Sequence, residues 1–130
     1  VTLLLNYPPT PASRPRVTRW GTYYLKTYKA YKDFAEQAIP CSTKPPLTGN
    51  IQADILFVCA KPKTTKRINP RGDIDNHEKS ILDAITGTKK QPKGYWLDDD
   101  QINLVTRKEK RWAEQGETPH TRITFKPHIP

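Results

Sequence analysis

Ile51-Gln52-Ala53-Asp54-Ile55-Leu56-Phe57-Val58-Cys59 is the stretch that decides the fold. Apolar residues at 51, 53, 55, 57 and 59 recur with a period of two, so a strand here carries one continuous apolar face that needs a cover. Covers are available on both sides in sequence. From Thr27 to Ile39, residues Tyr28, Tyr31, Phe34, Ala35 and Ala38 fall at helical spacing with Lys29, Lys32, Asp33 and Glu36 between them, and Pro40 stops the pattern. A second helix is expected from about Asn76 to Thr86, with Ile81, Leu82 and Ile85 on its buried stripe and Gly87 just past its end. Three further strands complete the set: Val1 to Tyr7, stopped by Pro8-Pro9, then Ile102 to Lys108 and Thr121 to Lys126, with a polar hairpin-like segment at residues 113 to 119. The order β-α-β-α-β-β predicts an α+β fold, a small mixed or antiparallel sheet packed with two main helices. At 130 residues the chain is expected to form one domain spanning 1–130.

The connections are as informative as the elements. The chain holds 22 Lys plus Arg against 13 Asp plus Glu, a formal net charge of +9, which favours a polyanionic partner. Residues 8 to 22 combine Pro8, Pro9, Pro11 and Pro15 with Arg14, Arg16 and Arg19, and read as a basic loop that resists regular structure. Residues 60 to 72 carry Lys61, Lys63, Lys66, Arg67 and Arg71 with no acid, and Lys89, Lys90 and Lys93 form a third basic group. Their ordinary alternative is solvated loop. No run approaches the ~20 apolar residues of a membrane span and no secretion signal is present, so a soluble, cytoplasmic protein is the expectation. Cys41 and Cys59 lack the spacing of a zinc knuckle and read as free thiols, Cys59 in the core and Cys41 in a loop.

Against this basic background, seven of the 13 acids lie between residues 73 and 100: Asp73, Asp75, Glu78, Asp83, Asp98, Asp99 and Asp100. A bound divalent cation is the simplest cause of such crowding, because it relieves the repulsion among carboxylates. Each half also has a plainer reading. Asp75 could cap the second helix with Glu78 completing a capping box, and Asp98 to Asp100 could form a solvated turn. The capping reading leaves Asp73 unexplained, since alternation in an extended approach would bring it to the same side as Asp75. An EF-hand fails, with Glu78 where glycine is needed and Ala84 where glutamate is needed. Aspartates with few other ligand types suit Mg2+ or Mn2+ together with phosphate oxygens, which points to phosphodiester chemistry.

Lys79 follows Asp75 by four residues, a spacing that fits either an exposed ion pair or a cation aimed at the scissile phosphate. His77 reads better as a helix-surface residue than as a general base, because a metal can supply the hydroxide. Tyr95 and Trp96 could wedge between bases of a nucleic-acid partner, although core packing is the better reading of Trp96.

Asp73-Ile74-Asp75-Asn76, then Lys79, Leu82-Asp83-Ala84-Ile85, Gly87 and Asp98-Asp99-Asp100-Gln101, resemble the RusA-type Holliday junction resolvases, and Pro11-Ala12-Ser13-Arg14-Pro15-Arg16 is similar to that family's amino-terminal region. The resemblance implies a homodimeric, Mg2+-dependent endodeoxyribonuclease, with Mn2+ as a possible substitute and no small-molecule cofactor. Its substrate would be branched DNA, chiefly four-way junctions, cut by paired symmetric nicks in a bacterial cell or phage-infected host. By motif, Asp73, Asp75 and Asp99 would bind metal, with Asp98 an alternative to Asp99, and Lys79 would be the essential cation. Arg14, Arg16, Arg19, Lys61, Lys63, Lys66, Arg67, Arg71, Lys89, Lys90 and Lys93 would contact DNA. Two rival readings stay open: a catalytically silent nucleic-acid-binding module, and a metal-dependent flap or single-strand nuclease or RNase.

Overall fold

The structure is a computed structural model that describes residues 2–12, 16–19, 21–23, 26–38, 47–70, 72–86, 95–96 and 99–128. Its elements are β1 (Thr2–Leu5), β2 (Arg16–Thr18), β3 (Gly21–Tyr23), α1 (Lys26–Ala38), β4 (Ile51–Cys59), α2 (Ile74–Ile85), a 3-10 turn (Asp99–Gln101), β5 (Ile102–Trp112) and β6 (His120–Pro127). The α+β class and the order of the main elements agree with the expectation. Where residues 8 to 22 read as loop, a short antiparallel β2-β3 pair intervenes, with Val17 opposite Thr22. Pro8, Pro9, Pro11 and Pro15 all precede it, so every residue of the pair keeps the N–H that a ladder needs.

The main sheet has the order β1-β6-β4-β5 and is mixed, β4 running parallel to β5 and antiparallel to β6. The stretch at 113 to 119 is therefore not a β-hairpin. It carries the chain across the end of β4, so that β5 and β6 lie on either side of that strand. β4 lies between two strands because its helix-facing residues, Ile51, Ala53, Ile55 and Phe57, are all 1% exposed or less. An edge strand would leave part of that row uncovered.

Both helices lie over this face. Tyr31 and Ala35 from α1, and Ile81, Leu82 and Ile85 from α2, join Leu3, Leu5, Ile123 and Phe125 in one cluster. Each fully buried Ile or Phe contributes about 1.5–3 kcal/mol. Phe34, expected on the α1 stripe, lies at its margin and packs against Tyr7 at 4.9 Å instead. Trp96 is fully buried, edge-on to Phe125 at 5.1 Å, and its Nε1 donates to Thr86 Oγ1 at 2.8 Å. This agrees with the core reading of Trp96 and removes it from any wedge. Tyr95 is half-buried against the same Phe125.

The ends of α2 differ from the expectation. The helix starts at Ile74, two residues early, and Asp73 rather than Asp75 is its N-cap residue. It ends at Ile85, one residue short of the expected Thr86, which is instead the C-cap and whose backbone N–H and hydroxyl both donate to the Leu82 carbonyl. Gly87 lies outside the described residues, as does Cys41. Among the described residues no helix is long and apolar enough to cross a membrane.

Candidate active site

The start of α2 is where the chain's first acidic group becomes a site. Asp73 has extended backbone angles (φ −70°, ψ 147°) and makes no side-chain cap hydrogen bond, so its exposed carboxylate is not used in capping. Because the helix begins at Ile74, Asp75 belongs to the first turn, where the helix dipole favours a negative charge. The extended alternation expected for 73 and 75 gives way to a cap followed by a helical turn. The capping-box reading falls too, since Asp73 is the N-cap and Glu78 lies five residues beyond it, past the third helical position that a capping box uses.

That carboxylate meets a residue to which the chain's local patterns give no role. Lys108 Nζ, from β5, lies 2.7 Å from Glu78 Oε2 and 2.7 Å from Asp75 Oδ1. The hydrogen bonds to Asp75 and then Glu78 hold the ammonium above the ordinary lysine range. Two places along β5, Lys110 Nζ donates to the Pro70 carbonyl at 2.8 Å and to the Gly72 carbonyl. Two lysines from one face of an edge strand thus hold the turn and the first helical turn that carry Asp73 and Asp75. Their i, i+2 spacing is the sequence signal, with Lys108 ending the expected strand and Lys110 two residues past it.

Gly72 itself is at φ +89°, and a Cβ there would lie 3.1 Å from Pro11 and 3.3 Å from His77 Nε2. The proline-rich segment is pinned against this turn by the Ala12 N–H, which donates to the Asn76 carbonyl at 3.0 Å. His77 is not a surface residue. It is 2% exposed and packs on Phe57 with ring centroids 5.3 Å apart, which fits a supporting role beneath the turn.

Lys79 is exposed one turn beyond Asp75, and among the described residues no ion pair joins the two. The ion-pair reading of Lys79 therefore falls, leaving its ammonium on the same helix as the carboxylates. Lys61, Lys63, Lys66 and Arg67 lie on the loop entering this turn, which Trp112 holds by donating from Nε1 to the Arg67 carbonyl at 3.1 Å. Arg19 is exposed, and Arg16 lies in β2. Arg14, Arg71, Lys89, Lys90, Lys93 and Asp98 lie outside the described residues. Buried Cys59 has its thiol pushed up to about 11 by burial, which suits a core residue and not a nucleophile.

The second acidic group occupies a different station. Asp99–Gln101 form the 3-10 turn just before β5, tied down by the Gln101 amide donating to the carbonyls of Leu47 and Gly49 at 2.9 and 3.1 Å. β5 starts with Ile102 opposite Ile51, whereas Lys108, the partner of Asp75, stands opposite Ile55. Four residues of β4 separate the two positions, roughly 13 Å at strand rise. Among the described residues, no three His, Cys, Asp or Glu side chains converge on one point.

The family model described as Endodeoxyribonuclease RusA matches residues 6–126, nearly the whole chain. The chain belongs to the RusA endodeoxyribonuclease family. Comparison with curated proteins gives no match. Membership makes this RusA-family chain a nuclease of the Holliday junction resolvase type, and branched DNA its class of substrate. The Lys108 and Lys110 contacts show how this member of the family supports the turn that carries Asp73 and Asp75.

Proposed function

We propose that the chain acts as a single domain that resolves four-way DNA junctions as a homodimer, each copy nicking one of two symmetry-related strands with Mg2+, for which Mn2+ can substitute. The observation that carries this reading is the placement of Asp73 and Asp75 at the exposed start of α2 in a RusA-family chain. Their chemistry fits a hard divalent cation: both are exposed carboxylates, one is unused by the helix cap, and the other already faces a cationic group.

The distance along β5 gives the dimer a chemical reason. Asp99 belongs to the second station, roughly 13 Å of strand from the first. A second copy of the chain, related by a two-fold axis, supplies that station to Asp73 and Asp75, so a lone chain holds only part of each site. A junction with approximate two-fold symmetry then meets two equivalent sites.

Bound Mg2+ supplies Lewis-acid chemistry at the scissile phosphate and a nucleophilic water at neutral pH. The chain's own residues do the rest. Lys79 stabilises the negative charge that grows on the phosphate oxygens. Lys61, Lys63, Lys66, Arg67 and Arg71, with Arg14, Arg16, Arg19, Lys89, Lys90 and Lys93, neutralise phosphates along the arms.

The deciding experiment is strand cleavage of a labelled four-way junction against linear duplex, fork, flap and RNA, with Mg2+ and with chelator. Wild type is compared with Asp75→Asn, Asp99→Asn and a mixture of the two. Symmetric Mg2+-dependent nicks confined to the junction, lost in each variant, establish the resolvase. Activity regained in the mixture, one strand at a time, establishes sharing between copies. Tight junction binding without cutting under any divalent metal establishes the silent binding module instead, and preference for flap or RNA establishes the other rival.

A further inference from the structure

We propose that Lys108 is a built-in counter-ion of the carboxylate site: its ammonium holds Asp75 in the metal-free protein and yields that carboxylate to an incoming divalent cation while staying anchored on Glu78. The proposal rests on the reading of Asp75 as a metal ligand.

The two contacts of Lys108 are equal in length and unequal in surroundings. Both are 2.7 Å, yet the Asp75 side chain is 80% exposed and that of Glu78 only 19%. An ion pair open to water is weak and easily exchanged, whereas a sheltered one is screened less. A divalent cation approaching from solvent therefore competes with the weaker contact and leaves the stronger one in place. The lysine need not be stripped of all its partners, and its backbone is on the edge strand β5.

The electrostatic consequence is specific. On the proposed function a DNA phosphate approaches Asp73, Asp75 and Glu78, and these acids, uncompensated, would repel it. Lys108 offsets this charge before metal arrives. Once a divalent cation takes Asp75, the nearby ammonium is a like charge, so the two compete for that carboxylate. Lys108 thus weakens metal binding while favouring contact with DNA in metal's absence. Lys110, bonded to backbone carbonyls, has no such competing role.

The test is metal titration of the full chain, by calorimetry with Mg2+ and by electron paramagnetic resonance with Mn2+, alongside junction binding in chelator. Lys108→Met is expected to bind Mn2+ roughly two- to tenfold tighter than wild type, because an exposed competing ion pair is removed. It is also expected to bind the junction more weakly in chelator, and Lys108→Arg to restore both properties. Unchanged or weaker Mn2+ binding by folded Lys108→Met overturns the proposal. If that variant does not fold, Lys108→Gln, which keeps an N–H donor without the charge, is read in the same way. Asp75→Asn separates the two levels of inference. Wild-type Mn2+ affinity in Asp75→Asn overturns the ligand reading and the counter-ion with it. Lost affinity there, with no tightening in Lys108→Met, overturns the counter-ion alone.

Discussion

Lys110 donates its ammonium hydrogen bonds to the carbonyl of Gly72, the residue immediately before Asp73, and to that of Pro70. A side chain on the edge strand therefore holds the backbone of the turn that aims the first carboxylate. Lys110→Met is expected to lower stability by about 1–2 kcal/mol through loss of charge-assisted hydrogen bonds. Because small displacements of reacting groups are costly, cleavage should slow by roughly tenfold or more. Denaturant unfolding and single-turnover cleavage check the two parts, and junction affinity should change much less than rate.

Gly72 is under the opposite constraint. With φ at +89° and Pro11 3.1 Å from a built Cβ, Gly72→Ala forces both backbone strain and a displaced proline. The expected loss is about 1–3 kcal/mol. Thermal unfolding reads the stability, and metal titration should show weakened binding as Asp73 shifts with the turn.

Trp96 is expected to act through the core and not through DNA. Trp96→Ala should cost about 3–5 kcal/mol, and Trp96→Phe about 1–2 kcal/mol through the smaller ring and the missing hydrogen bond to Thr86. Folded Trp96→Phe should bind and cut a junction like wild type. A selective loss of junction cutting with unchanged stability would return this residue to the branch point.

Glu117 makes a pH-dependent contribution away from the site. A two-pronged contact from Arg111, at 2.6 and 2.8 Å, and then the Glu114 backbone N–H hold its carboxyl down at about 2, against an ordinary value of 4.5. A carboxylate with a lowered folded value stabilises the protein above its unfolded value and loses that contribution as pH falls through the folded one. The difference in melting temperature between wild type and Glu117→Gln should therefore be full above pH 4.5 and shrink toward pH 2.

The basic loop before the site should set salt dependence. Lys63→Glu and Lys66→Glu are expected to weaken junction binding and to flatten the plot of log affinity against log salt by about one for each phosphate no longer neutralised. Fluorescence anisotropy across a salt series checks this, and an unchanged slope removes the loop from the interface.

The elements that could be read along the chain are those whose signal is local. β4 matches its expected span because period-two alternation over nine residues records burial on one face, and α1 is displaced by only one residue at each end. The acidic turn was legible because carboxylates crowd in a basic chain. The family resemblance was legible because its motifs are short and fixed in spacing. Even so, α2 starts two residues before the expected position, since Asp73 and Asp75 both suit a helix start and only the backbone geometry distinguishes them.

What the sequence determined by itself is thus the set of elements, their apolar faces and the chemistry of the acidic turn. Tertiary structure alone decided that β4 lies between β5 and β6, that His77 turns inward, and that the two acidic stations stand at different places along β5. It also decided that Lys108 and Lys110 reach the start of α2 from the edge strand. The physical reason is range. Alternation and capping are set by a residue's immediate neighbours, whereas strand order and the partner of a long charged side chain depend on surfaces that meet only when remote segments bury them together.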